Sequence, residues 1–389
     1  MDFEGSRYYV FNRIMLSSIG LWPYQKTWPI RIQRFFCIIC IISSIIVQLL
    51  TFTTFDYNLD IFLHILSCLI PCFIIFLKYI TYCIKIESMQ KLIDMIKHDW
   101  NMLKSRTEYE IILRYTSVGT FYAHMFALII YSSVIFVAFV HLIPNFLDLL
   151  EPLNQSRPHQ LVILCEYFVD SDEYFYPILL HWIVCFFILL STLLSTTSIH
   201  VACIQHICGM FEIASYRIEH ALDDYENENL ISTKCCIACS GIISAITTHR
   251  RAIEFFEFMK DTFMIMYFIL LVLGVASLVV NLCHMVITEE LIETLVSIGI
   301  VFIHLLSFFC VNYLGQKILD HSNDFLSKVY NCKWYMMPLH VQKLILFIMQ
   351  RSSKSCMLLI GGIYITSLEG FATTMSTSLS YFMVIYSTR

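Results

Sequence analysis

Charge is scarce in this chain. Asp, Glu, Lys and Arg make up 14% of its 389 residues, against about 25% in an ordinary soluble domain. Hydrophobic residues make up 58%, so a water-facing surface could not be covered with polar groups, and lipid is the implied solvent. Glycine (11) and proline (8) are also few, which excludes a low-complexity or linker-rich chain. There is no phosphate-cradling glycine loop, no His-Glu-x-x-His and no Gly-x-Ser-x-Gly. The 14 histidines are scattered without ligand spacing along the chain. The sequence therefore points to no enzyme, no metal and no cofactor. No basic patch interleaved with aromatics suggests nucleic acid, and no fixed-period repeat is present.

What is abundant is cysteine, 16 in all. Most sit inside apolar runs (Cys37, Cys40, Cys68, Cys72, Cys185, Cys283, Cys310), where a free thiol acts as a small hydrophobe. The densest group, Cys235, Cys236 and Cys239 with His249 downstream, lacks the paired spacing of a zinc site. Five basic residues, Arg7 to Arg34, precede the first apolar run, and no small-residue cleavage site follows it. The first run is expected to be a retained anchor.

A membrane helix needs about 20 apolar residues. Seven such runs occur, at roughly 35–55, 61–84, 117–143, 177–201, 262–286, 294–314 and 356–386. The last is long enough for two pieces, with Gly361-Gly362 as the break. Of 25 Lys and Arg, 22 fall in the N-terminal segment and in the second-to-third, fourth-to-fifth and sixth-to-seventh gaps. The other four compartments hold only Arg157 and Arg389, and Lys78 lies within the second run. Basic residues stay cytoplasmic. The expected fold is thus one all-α polytopic domain over residues 1–389, with seven transmembrane helices, the N-terminus inside and the C-terminus outside. The single Asn-x-Ser/Thr sequon, at Asn154 in the third-to-fourth loop, falls on the predicted outer side, where glycosylation occurs. Two cytoplasmic stretches, around Leu92, Ile93, Met95 and Ile96 and at 213–222, have amphipathic spacing. Each fits a continuation of a span or a separate surface helix.

Four features carry candidate chemistry. Eleven acids against two basic residues mark the predicted outer side. They fit a cation-concentrating mouth or simply the topological exclusion of bases. Thr373, Thr377, Ser380, Val384 and Thr388 recur at steps of three or four in the last run, sharing one face. They fit a water-filled path with an apolar constriction or hydroxyls bonded to a neighbouring helix or to their own i−4 carbonyls. Glu369 also lies in that run and fits a place that orients the helix break, one near the conduction path or one in a cytoplasmic vestibule. Trp182, Phe186, Phe187, Phe126, Tyr131 and Phe302 make the outer halves of the spans aromatic. They fit an apolar ligand pocket or ordinary packing.

The C-terminal third carries a resemblance. Gly315-Gln316-Lys317, Trp334, Gln350-Arg351-Ser352-Ser353-Lys354, Ser367-Leu368-Glu369-Gly370-Phe371 and Ser380-Tyr381-Phe382 resemble the insect odorant receptor family. The N-terminal Gly20-Leu21-Trp22-Pro23 is similar to that family's approach to its first span. The related gustatory receptors end with Thr-Tyr, five residues and Gln-Phe. Ser380-Tyr381 is followed by no Gln-Phe, which favours the odorant branch.

The resemblance implies a tetrameric, odorant-gated, non-selective cation channel made with a shared co-receptor subunit. It also implies a place in the plasma membrane of the olfactory sensory neuron dendrite. The family's gate valine falls on Val384. Its second gate position, usually leucine, falls on Thr388, a departure that fits a subunit borrowing pore from its partner. The family's odorant pocket falls near Cys68, Pro71 and Cys72, and near Ile300 and Ile303. Phe126, Ile130, Trp182 and Phe186 match it by depth in the membrane. Other seven-span classes fit less well. A gustatory-receptor-like channel shares the topology. A G-protein-coupled receptor would need its N-terminus outside, and a secondary transporter is expected to show paired repeats.

Overall fold

The computed structural model describes residues 5–54, 58–150, 164–170, 173–227, 231–288 and 291–387, with side chains described except at 140–150, 222–227, 231–238 and 292. Asn154 and Thr388 lie outside the described residues.

The described chain is helical almost throughout. A short amphipathic helix, α1 (Val10–Ser18), is followed by α2 (Trp28–Thr54) and α3 (Leu59–Ile84). Asn58 begins α3 by accepting from the Asp60 N–H, an ordinary N-cap. Lys85 alone separates α3 from α4 (Ile86–Asn101). Met89, Leu92, Ile93, Ile96, Asp99 and Trp100 of α4 are buried, a single stripe at helical period. Then come four long helices, α5 (Arg106–Leu150), α6 (Phe175–Asn227), α7 (Ile231–Ile287) and α8 (Leu291–Asn331). The 57 residues of α7 reach ~85 Å at 1.5 Å each, against a bilayer core of ~30 Å. Of the two amphipathic stretches, 213–222 therefore continues a span within α6, while 92–97 forms the separate α4.

Burial differs along these rods. The most apolar 18-residue windows of α5 and α8 are only 11% buried, those of α2, α3 and α7 33%, and that of α6 61%. Helix α6 is thus the centre of the bundle, and the outward sides of the others present Leu128, Ile135, Phe136 and Phe302 to lipid. The halves beyond the apolar windows have no lipid to face, so they bury against each other. Phe211, Phe255 and Phe256 of α6 and α7 are fully buried there, beside Phe263 at the edge of the α7 run and Tyr79 and Tyr82 near the α4 end of the α3 run. A second core joins Phe325 and Val329 of α8 to Val341, Ile345 and Ile348 of α9 (Leu339–Ser352).

Among the described residues, six helices are long and apolar enough to cross a membrane by length and composition. The last, α10 (Leu368–Ser387), has 20 residues, the right length, but its hydroxyls lower its hydropathy. The run at 356–386 is not one helix. Residues 353–367 form an extended strap containing an antiparallel hairpin, β1 (Leu359–Ile360) with β2 (Tyr364–Ile365). Gly361 and Gly362 turn it with φ of +60° and +75°, the left-handed region that glycine occupies without strain. The expected break at this glycine pair is thus a hairpin rather than a joint between two helices.

Candidate pore helix and ligand-binding positions

The strap hangs α10 from α8 through a ladder of side-chain bonds. Asn312 Oδ1 accepts from the Tyr364 hydroxyl at 2.8 Å and from the Ser367 N–H at 3.1 Å. Gln316 Oε1 accepts from the Leu368 N–H at 3.3 Å, which caps one of the orphan donors of α10. Ser322 Oγ accepts from the Cys356 N–H at 3.0 Å. Between Asn312 and Gln316 the strap lies against Gly315, where an added Cβ would stand 2.4 Å from the Thr366 carbonyl oxygen. The sequence triplet Gly315-Gln316-Lys317 is therefore a docking surface for the segment that starts the last helix. Glu369 is exposed in the first turn of α10, where a carboxylate favours the helix dipole.

On α10 the stripe expected from sequence is exposed. Thr373, Thr377, Ser380 and Val384 face away from the bundle, while Thr374 and Ser378 are buried against it. Each exposed hydroxyl donates to the carbonyl four residues back: Thr373 to Glu369 at 3.0 Å, Thr377 to Thr373 and Ser380 to Ser376 at 2.8 Å. Donation back to the helix leaves the oxygen lone pairs free to accept from water or to face a cation. The bonding to i−4 carbonyls is thus what these three hydroxyls do on the exposed face. Val384, 59% exposed, ends it with an apolar side chain.

The positions assigned to the odorant pocket lie along several seams. Phe126 and Ile130 of α5 share an apolar cluster with Phe186 of α6, closed on one side by Phe11 and Met15 of α1. Trp182 stacks on Phe186 with ring centroids 4.9 Å apart. Cys68 is buried on α3, and the Cys72 thiol accepts from Gln48 of α2 at 3.5 Å. Ile300 and Ile303 are half-buried on α8. Pro71 cannot donate to the Ser67 carbonyl one turn earlier. Asn281 of α7, fully buried, donates to that carbonyl instead, at 3.2 Å. The donor that Pro71 cannot supply to Ser67 thus comes from a residue 214 positions beyond Ser67.

At the other end of the bundle, beyond the apolar windows, buried charge ties the helices together. Asp99 of α4 accepts from His206 of α6 at 2.9 Å and pairs with Arg251 of α7. Glu108 of α5 takes a two-pronged contact from Arg217 of α6, at 2.7 and 2.8 Å, and Arg217 also donates to Thr248 of α7. Burial alone would raise the Glu108 carboxyl. The Arg217 guanidinium and the Lys104 backbone N–H outweigh it and hold the group below its usual range. A cavity of about 530 Å³ beside this network is lined by Lys91, Met95, Asp99, Thr247, Arg250, Arg251, Glu254 and Phe258. His249 is the fourth ligand weighed for the cysteine group. It is buried and stacked on Phe325 at 4.1 Å, and burial, with Arg351 nearby, pushes its pKa down to about 4. Cys235 and Cys236 lie outside the described side chains. The 14 cysteines that are described are all free thiols.

The sequence profile of the 7tm odorant receptor family matches residues 58–379. The chain belongs to the 7tm odorant receptor family. Its members are receptors, not enzymes. The insect olfactory receptor OR5 from Machilis hrabei has the same fold: TM-score 0.76 at 13% identity, covering 99% of this chain and 97% of that one. The same receptor in complex with eugenol gives a TM-score of 0.75 at 12% identity with the same coverage. No curated protein sequence matches this odorant receptor chain significantly. Family membership and the apolar helices make it a multi-pass membrane protein.

Proposed function

We propose that this chain is the odorant-binding subunit of a ligand-gated, non-selective cation channel, assembled with a shared co-receptor subunit. Its place is the plasma membrane of the olfactory sensory neuron dendrite. The chain crosses the membrane seven times, α10 being the seventh span, with its N-terminus in the cytoplasm and Asn154 in a glycosylated outer loop. Support comes from the 22-to-2 distribution of basic residues. The observation that carries the channel reading is the exposed face of α10: a row of hydroxyls ending at Val384, on a helix fixed at its start by the strap.

In this reading α10 lines the pore together with its counterparts in the other subunits. Ser380 faces the path, Val384 narrows it and Thr388 follows. An odorant enters a membrane-level pocket drawn from Cys68, Pro71, Cys72, Phe126, Ile130, Trp182, Phe186, Ile300 and Ile303. It binds the open arrangement more tightly than the closed one, and that difference shifts the pore equilibrium. The precedent for a small odorant in this fold is the OR5 receptor in complex with eugenol.

The test is whole-cell current from cells expressing this chain with the co-receptor, under a broad odorant panel. Current is expected with the pair and none with this chain alone. Silence across the panel despite surface delivery would refute the reading. Val384→Ala is expected to raise basal current or change ion selectivity, and unchanged values of both would remove Val384 from the gate.

A further inference from the structure

Three side chains that commonly ligate metals converge where α3, α7 and α8 meet, at the end of the bundle opposite α4 and α9. His64 lies in the second turn of α3, His284 in the last turn of α7 and Glu293 in the first turn of α8. One ligand atom from each lies within 4.8 Å of the others. Glu293 Oε2 stands 3.6 Å from His64 Nδ1 and 3.9 Å from His284 Nε2. These separations are too long for hydrogen bonds. The carboxylate thus faces two imidazole nitrogens without bonding either.

A hydrogen-bonded polar patch would close those gaps. A divalent cation satisfies the arrangement directly. Zinc holds nitrogen and oxygen ligands at ~2.0–2.2 Å in a tetrahedron, so its ligand atoms are ~3.4 Å apart. Contractions of about 1.5 Å or less, within the reach of side-chain torsions, bring the three to that spacing.

The surroundings match what a metal-binding histidine needs. Such a ring is held by a bond to its other nitrogen. His284 Nδ1 lies 2.7 Å from Ser297 Oγ, which leaves Nε2 aimed at Glu293. Thr288 Oγ1 donates to Glu293 Oε2 at 2.7 Å and orients the carboxylate. Both histidines are buried, while the Glu293 side chain is 30% exposed and gives a path from solvent.

We propose that His64, His284 and Glu293 form a binding site for a divalent transition cation of the zinc class, with water in the fourth position. The site joins three helix ends. Beside it Leu63, Val279 and Cys283 pack against Phe382 of α10. A bound cation therefore clamps α3, α7 and α8 where they support the last helix, and opposes its movement. The clamping effect on current rests on the channel reading above, whereas the site itself does not.

The experiment uses the purified full-length chain in lipid nanodiscs with Co²⁺ as an optical probe. One Co²⁺ per chain is expected, with the intense visible absorption of tetrahedral coordination, bleached by Zn²⁺. His64→Ala and His284→Ala should abolish that absorption, and Ser297→Ala should weaken affinity by about 10–100-fold. Absence of the tetrahedral band, or a band as strong in His64→Ala as in the parent, would overturn the site. If a histidine variant fails to fold, Glu293→Gln on the accessible rim decides in the same way. Zn²⁺ in the external bath should then reduce odorant-evoked current of the parent and leave Glu293→Gln unaffected. A positive band with unaffected current keeps the site and overturns the clamp.

Discussion

Gly315→Ala tests how the last helix is held. The added methyl would stand 2.2 Å from Thr366 Oγ1, 2.4 Å from the Thr366 carbonyl oxygen and 2.6 Å from Thr366 Cβ. Ordinary contact needs about 3.4 Å or more, so strap and α8 must part by ~1 Å. One contact is backbone, so no rotamer change of Thr366 relieves it. That displacement stretches the bonds from Ser367 and Tyr364 to Asn312 and from Leu368 to Gln316, now 3.1, 2.8 and 3.3 Å. Overpacking of this kind costs ~1–3 kcal/mol, and each weakened bond adds ~0.5–1.5 kcal/mol. A loss of about 3 kcal/mol is expected. Thermal unfolding of the purified variant, followed by intrinsic fluorescence, should show a melting temperature lower by several degrees. Thr366→Gly should restore part of the loss, since it removes two of the three close contacts and leaves the carbonyl. Parental melting of Gly315→Ala would mean that the strap is not seated on α8, and the account of how α10 is positioned would fall.

Asn281→Leu should destabilise the chain by ~1–3 kcal/mol, the cost of leaving the Ser67 carbonyl without a donor in an apolar setting. Pro71→Ala in the same background should recover most of it by restoring the helix's own bond, a coupling that a double-mutant cycle measures. Arg217→Met leaves the Glu108 carboxylate buried without its guanidinium and should cost ~3–5 kcal/mol. The same variant should abolish the part of the pH dependence that comes from Glu108, whose depressed pKa contributes stability at neutral pH that is lost as pH falls through the carboxylate range. His249, with its pKa pushed down to about 4, resists protonation that the unfolded chain accepts near 6.5. Stability is therefore complete above pH 6.5 and falls between 6.5 and 4. Melting temperatures of His249→Phe should decline less over that window, and equal slopes would contradict the assignment.

Sequence and structure agree most closely where the signal is local. Apolar runs of span length mark the cores of α2, α3 and α5 to α8, because hydropathy needs no partner to be read. The strap escaped that reading because 356–366 is as apolar as a span. Only its glycines mark the turn. Conversely, α10 is polar enough to fail a hydropathy test. It entered the seventh run mainly because the strap in front of it is greasy. The stripe of Thr373, Thr377, Ser380 and Val384 was legible as period, and the structure adds which side of the helix it takes. The His64–His284–Glu293 group was not legible. Its members show no metal-ligand spacing along the chain and meet only after three helices pack. The Asn281–Ser67 bond is hidden for the same reason, although Pro71 inside an apolar run was a visible hint that a carbonyl needed a donor.

The seat of α1 has a consequence for how the protein is made. Its Met15 carbonyl accepts from Ser195 of α6, 180 residues later, and the Ile19 carbonyl just beyond it accepts from Tyr79 of α3. At ribosomal rates of ~5–20 residues per second, the N-terminal helix waits ~10–40 s before its groove exists. During that interval an amphipathic segment must rest on the membrane surface or in the care of a chaperone. Helix α1 is thus made well before α6 completes its place, and amino-terminal fusions should delay maturation more than carboxyl-terminal ones.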